Sequence, residues 1–212
     1  IGTLYSGENE FDECKHSIKR QKYKKWDHFV LKNLPNKKAH ETLYNKFMDE
    51  AENYDLFVKL DADMVFSRDT ALEEIVSLFK NEKSLDHSIF PVNDFYTGCK
   101  IMGIHFFRNN VIWNVDDDMF VDPGPKIKGH RKVYRNYEPF VEHSPNPSKI
   151  QAYNFGVHRA AKYLQMNRDD FNRNQSVNQL KVLKYMYENY LNKRDELLVY
   201  SVKGAVDYFD NP

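Results

Sequence analysis

The chain has few cysteines. Only Cys14 and Cys99 occur among its 212 residues, and no CxxC pair is present. That count argues against a structural zinc site, and nothing marks the chain as secreted. It has no excess of either charge: Lys plus Arg and Asp plus Glu stand at 31 each. Domains that bind nucleic acid in bulk run basic, so no nucleic-acid partner is expected. No apolar stretch nears the roughly 18 residues of a spanning helix. There is no signal-peptide pattern, internal repeat or low-complexity linker. The chain opens at Ile1 without Met and runs straight into apolar residues, so a processed start or a domain cut from a longer protein is expected. The default setting is reduced and cytoplasmic, with peripheral contact at the inner membrane face compatible with it.

The chain does have the profile of a soluble globular protein, with 41% hydrophobic and 29% charged residues. Its length suits one sizeable domain. Aromatics are 15%, which suits a site that stacks flat rings or a Tyr-rich core equally. Ile1–Tyr5 reads as a strand and Ser6–Asn9 as a turn. Phe11, Cys14 and Ile18 predict a helix over about 11–22. Asp27–Leu34 reads as a second strand closed by Pro35. Leu43, Phe47, Met48 and Ala51 line a second helix, and a third strand follows at 55–60. Thr70 and Glu73 form a capping-box pattern ahead of a third helix with Leu72, Ile75, Val76 and Phe79. This β-α alternation predicts a parallel sheet flanked by helices. Ser88–Val92 and Lys100–Phe107 read as strands, 121–149 as loop-rich, and 148–165, 174–193 and the last stretch as helical. Val177, Leu180, Leu183, Tyr187, Tyr190 and Leu191 form a stripe that is ordinarily core.

The strand at 55–60 runs into Asp61 and Asp63. Strand side chains alternate faces, so both carboxylates are expected to point the same way. Two buried carboxylates side by side are costly without a cation, and a hard divalent ion, Mn²⁺ or Mg²⁺, carrying nucleotide phosphates fits them best. A calcium loop would need further oxygen ligands and a nearby Gly, where Met64, Val65 and Phe66 stand. A DxDxT phosphatase would need Thr at the position of Val65. Ligands of open parallel sheets gather beyond the carboxyl ends of the strands, so the Ser6–Glu10 turn and Asp61–Asp63 should lie close together. The alternative to metal binding is a strand-end pair capping a loop or helix.

Several segments resemble the family 2-like glycosyltransferases of the GT-A fold. They are Ile1-Gly2-Thr3-Leu4-Tyr5 with its acidic turn, the helix ending near Ser17–Gln21, Asn45-Lys46, and Leu60-Asp61-Ala62-Asp63, which looks like that family's DxD motif. The likeness covers residues 1–80 well and the rest loosely. It implies a Rossmann-like, mostly parallel sheet with a C-terminal helical cap. Residues 1–110 would form a nucleotide-sugar-binding half, and 111–212 the acceptor-side loops and cap. It also implies sugar transfer from a UDP- or GDP-sugar to a hydroxyl of a saccharide or lipid-linked acceptor, inverting, in bacterial surface polysaccharide assembly. Thr3, Tyr5, Glu8, Lys46, Asp61 and Ala62 would surround the donor. Asp63 would hold the metal, with Asp61 beside it, and a later His would complete the shell.

Among later residues, Asp116-Asp117-Asp118 stand where the family reads Glu-Asp. Asp117 or Asp118 is the candidate general base on the acceptor, against a solvated turn or helix N-terminus. His143, in Glu142-His143-Ser144-Pro145, is the candidate metal ligand, with His130 and His158 as competitors. Lys126, Lys128, Arg131, Lys132 and Arg135 form a basic run suited to a diphosphate or an anionic acceptor. The alternatives are a sugar-nucleotide pyrophosphorylase, whose Gly-rich, Arg-containing loop Ser6–Asn9 does not provide, and a non-catalytic sugar-binding or scaffolding domain of GT-A shape.

Overall fold

The structure is a computed structural model that describes residues 1–112, 129–166 and 173–212. It opens with β1 (Gly2–Tyr5), α1 (Phe11–Arg20), β2 (Phe29–Lys32), α2 (Asn36–Asp49) and β3 (Leu56–Lys59). As the alternation predicts, β2, β1 and β3 lie side by side and parallel. α1 forms where acids occupy its first turn and Lys19 and Arg20 its last, matching the helix dipole, while Cys14 and Ile18 are buried against the sheet. α2 begins directly after Pro35, whose ring presets φ for a helix start.

The next element departs from expectation. β3 ends at Lys59, and the chain turns before entering β4 (Met64–Phe66). The Met64 N–H donates to the Asp61 carbonyl at 2.9 Å, which closes the turn. Asp61 and Asp63 therefore sit on a bend, where strand alternation does not set their directions. α3 (Ala71–Asn81) follows without the expected capping box: Thr70 donates its hydroxyl to Glu74 at 2.6 Å, and Glu74 also holds Arg68.

β5 (Leu85–Asp94) and β6 (Lys100–Arg108) form a long antiparallel pair. β7 (His130–Val133) and β8 (Val141–His143) fall within the stretch that reads as loop. β7 reads His130-Arg131-Lys132-Val133 and β8 has only three residues, so neither shows an apolar run, and each is held by parallel pairing with β5. The sheet runs β2-β1-β3-β6-β5-β8-β4, with β7 also on β5. It is mixed, because β6 and β4 run against their neighbours. α4 (Lys149–Met166), α5 (Arg173–Lys193) and α6 (Glu196–Asp210) complete an α/β fold with six helices among the described residues. None of these helices is long and apolar enough to cross a membrane.

Alternation along β3 and β6 divides the core. Val58 and Phe106 face α1 and α3, while Phe57 and Phe107 face Leu43, Tyr44 and Phe47 of α2. A third cluster joins Tyr96 to α4, α5 and α6. α4 and α6 meet through Gly156 and Gly204, where a Cβ on Gly156 would stand 1.8 Å from the Ser201 carbonyl oxygen. The α5 stripe is only partly core. Leu183 and Met186 are buried, whereas Val177, Leu180, Tyr187 and Leu191 are exposed, because α5 packs on its neighbours along one narrow seam.

Candidate functional site

The carboxyl ends of β1, β3, β5 and β8 share one edge of the sheet. A cleft of about 1010 Å³ opens there between α2 and α4. Adjacent β1 and β3 bring the first turn and the aspartates together: Ala62 N–H donates to the Leu4 carbonyl at 3.2 Å, and Tyr5, Glu8, Asp61 and Asp63 all line the cleft. Tyr5 stacks on Phe11 with centroids 4.2 Å apart. Glu8 is folded back onto Ser6, accepting from its N–H and hydroxyl at 2.6 Å each. Buried Glu10 accepts from Asn146 N–H at 3.0 Å and Gln151 Nε2 at 2.8 Å, which ties the turn to the start of α4. Burial raises the Glu10 pKa against those bonds.

At the centre stands His143. Its Nδ1 lies 2.5 Å from Asp94 Oδ1 and its Nε2 3.3 Å from Asp63 Oδ2. Strand pairing makes this geometry. Asp94 is paired with His143 across β5 and β8, and Met64, next to Asp63, is paired with His143 across β4 and β8. Asp94 also accepts from Thr97 N–H and hydroxyl at 2.7 Å. Asp63 accepts from the Ser144 hydroxyl at 2.9 Å, and its carbonyl takes Ser144 N–H at 2.7 Å. Burial alone would raise the Asp63 carboxyl, but the charge of His143 and bonds from His143 and Ser144 carry it well down. Burial likewise opposes charge on His143, yet Asp63 and Asp94 hold it protonated far above the ordinary histidine range.

Asp61 is engaged differently: Lys59 Nζ bonds its two oxygens at 2.7 and 2.6 Å. Asp61 and Asp63 thus do not act as a bare pair, since each already has a cationic partner. Three of the expected donor residues do not reach the cleft. Thr3 is fully buried, with its hydroxyl 2.9 Å from His28 Nε2. Ala62 is fully buried in the turn. Lys46 lies over the Phe29 ring at 5.1 Å, in a second cleft of about 1010 Å³ at the opposite edge of the sheet. That second cleft contains none of Asp61, Asp63 or His143. Asp117 and Asp118 lie outside the described residues. Arg131 lines the site cleft, whereas Lys132 pairs with Glu82 at 2.9 Å.

Sequence reasoning missed Asp94 and Ser144. A signal for Asp94 exists: it closes an apolar run of the sequence, as Asp61 does. Ser144 has none, because its role follows from the β4–β8 pairing. Among the described residues, no group of three or more His, Cys, Asp or Glu side chains converges as a metal site. Asp63 and His143 do converge as a pair. Asp94 fixes the imidazole through Nδ1, leaving Nε2 directed at Asp63, the carboxylate–histidine arrangement that orients metal-ligating rings. Carboxylate oxygen and imidazole nitrogen suit Mn²⁺, and an ion that keeps waters and phosphate oxygens needs few protein ligands. Asp63 and His143 are the residues that could hold a divalent cation, and loading one would require the imidazole proton to leave. No protein-family model matches the chain, and no curated protein matches it.

Proposed function

We propose that the protein is a metal-dependent glycosyltransferase of GT-A type, moving a sugar from a nucleoside-diphosphate donor to an acceptor hydroxyl. The observation that carries this reading is the meeting of Asp63 Oδ2 and His143 Nε2 at 3.3 Å in the cleft that also holds the Tyr5–Glu8 turn. It is supported by the parallel β2-β1-β3 arrangement, which puts that turn and Asp61 at the ligand-binding edge.

Asp63 and His143 would hold Mn²⁺ or Mg²⁺, which neutralises charge on the departing diphosphate. Asp94 keeps His143 in register. Lys59 holds the Asp61 carboxylate at the cleft wall beside Asp63 and supplies a positive charge near the diphosphate. Tyr5, already stacked on Phe11, offers a flat apolar face to a base or sugar. General base catalysis falls to Asp117 or Asp118 in this reading. An inverting single displacement and a role in bacterial surface polysaccharide assembly, in the cytoplasm or at the inner membrane face, belong to the same proposal.

Calorimetry with UDP and GDP, with and without Mn²⁺, tests it. Nucleotide binding that depends on the metal and is lost in Asp63→Ala is expected. No metal-dependent binding of either nucleotide would overturn the reading.

A further inference from the structure

The cleft at the opposite edge of the sheet takes no part in the proposed reaction. Its volume of about 1010 Å³ stands at the upper end of the roughly 300–1,000 Å³ usual for small-molecule sites. On the α3 side it is apolar. Val58 and Phe106, paired across β3 and β6, face Ile75 and Phe79 of α3 at its floor. Half-buried Trp26, Leu56 and Val76 form its walls. Apolar surface kept wet across a cleft is unfavourable, and a chain of methylenes laid along it removes that contact. The Trp26 indole N–H is buried without a hydrogen-bond partner, so the same wall holds an unmet donor.

The rim is basic. Lys24, Lys80, Lys83 and Arg108 line this cleft, and none of the four has an ion-pair partner among the described residues. The acids of the lining are Asp27, Glu50 and Asp55. Asp27 accepts from the Tyr54 hydroxyl at 2.5 Å, and Glu50 faces Lys46 at 3.5 Å. Arg108 is the most firmly held of the four cations. Its Nε donates to the Leu85 carbonyl at 2.6 Å, and its Nη2 to the Phe79 and Glu82 carbonyls at 2.6 and 3.0 Å. Those bonds close the end of α3 and fix the guanidinium, but neutral carbonyls leave its charge uncompensated. Its Nη1 has no hydrogen-bond partner among the described residues. Phe79 and Glu82 directly precede Lys80 and Lys83, so the same bonds bring three positive charges to one end of the cleft. A guanidinium already held in place loses little freedom on meeting an anion.

We propose that this cleft binds a single-chain anionic amphiphile. Its alkyl chain lies along Trp26, Leu56 and Val76, and its carboxylate or phosphate head meets Arg108, Lys80 and Lys83. The site is independent of the glycosyltransferase reading, because it shares no lining residue with the cleft of Asp63 and His143.

Calorimetry with octanoate, decanoate, octyl phosphate, octanol, acetate and inorganic phosphate tests it. Saturable binding of the charged chains is expected, and the tighter of octanoate and octyl phosphate identifies the head. Decanoate should bind about fourfold more tightly than octanoate, as two further half-buried methylenes require. Octanol, acetate and inorganic phosphate should each bind at least about tenfold more weakly, since each lacks the head or the chain. Lys80 and Lys83 are exposed, so a Lys80→Glu, Lys83→Glu double variant keeps the fold, and it should lose about tenfold or more in affinity. A Trp113→Phe variant leaves Trp26 as the only indole, and its emission should shift to the blue as the cleft fills. No saturable heat with any charged chain, octanol binding as tightly as octanoate, or full affinity in the double variant would overturn the proposal. Displacement by saturating UDP and Mn²⁺ would overturn it too, since the amphiphile would then occupy the other cleft. Amphiphile binding in a protein that binds no nucleotide leaves this site standing and removes only the glycosyltransferase reading.

Discussion

Replacing Gly156 by Ala sets two physical effects against each other. Inside α4 the change favours the helix by about 1 kcal/mol through reduced backbone entropy of the unfolded chain. Against this, the new Cβ would stand 1.8 Å from the Ser201 carbonyl oxygen and 2.7 Å from Ala205 N. An ordinary Cβ contact begins near 3.4 Å, so the seam must open by about 1.6 Å. Both atoms belong to the α6 backbone and cannot rotate aside. A gap of even 1 Å forfeits up to half of the dispersion energy at each contact it stretches. The buried residues Ala152, Ala160, Leu198 and Ala205 share the cluster that would loosen. Overpacking of this kind costs about 3 kcal/mol, which leaves the variant about 2 kcal/mol less stable. For a chain of this length that lowers Tm by roughly 4–8 °C. Gly204→Ala meets the Tyr153 carbonyl at 2.0 Å and should behave alike. The double variant should cost less than the sum, because the seam opens only once. Differential scanning calorimetry reads all three, and a Tm for Gly156→Ala equal to or above that of the parent would refute the close crossing.

Other outcomes are expected at the site and in the core. Asp94→Asn removes the carboxylate that orients His143, so Mn²⁺-dependent UDP affinity should fall by about 10- to 100-fold; an unchanged calorimetric titration would remove Asp94 from that role. His87 is buried, and burial first and Arg131 second lower its pKa to about 3. The unfolded chain then binds the extra proton, so stability present above pH 6.5 is lost as pH falls, by roughly 2 kcal/mol at pH 5. Urea midpoints at pH 7 and 5 should show this loss reduced in His87→Phe, and an identical loss in the variant would count against it. Burial raises the Cys14 thiol to about 12, whereas Cys99 is exposed. Thiol titration should therefore label one cysteine in the native protein and both in denaturant, and rapid native labelling of both would contradict the burial.

Local pattern carried much of the fold's first third. α1 shows its stripe and its end charges, and β1, β2 and β3 alternate with helices clearly enough to give their parallel order. β4, β7 and β8 leave no such trace. β4 and β8 have three residues each and β7 reads His130-Arg131-Lys132-Val133, so they are strands because a partner strand lies alongside, not because of intrinsic preference. The site divides in the same way. Asp61, Asp63 and His143 stand out as residue types at telling places. The bond from Asp94 to His143 depends on the register of β5 against β8, which no local signal reports. Position on the first strand points Thr3 to the site, yet His28, just ahead of the neighbouring strand, meets its hydroxyl inside the fold. On α5, helical spacing correctly gives the helix, but not which part of the stripe meets α4 and α6.

The pairing of β4 with β8 has a consequence for how the site comes into being. Asp63 lies early in the chain, but the imidazole it meets stands on a three-residue strand that follows β5, β6 and β7 in sequence. A chain cut before β8 would keep both aspartates of the turn and have no histidine for them to face. Contacts of such long separation form late, because loop closure must be made before it is rewarded. Cation affinity at Asp63 and His143 is therefore a reporter of assembly. It should appear during refolding only after the sheet has closed onto β8, later than the recovery of helical signal.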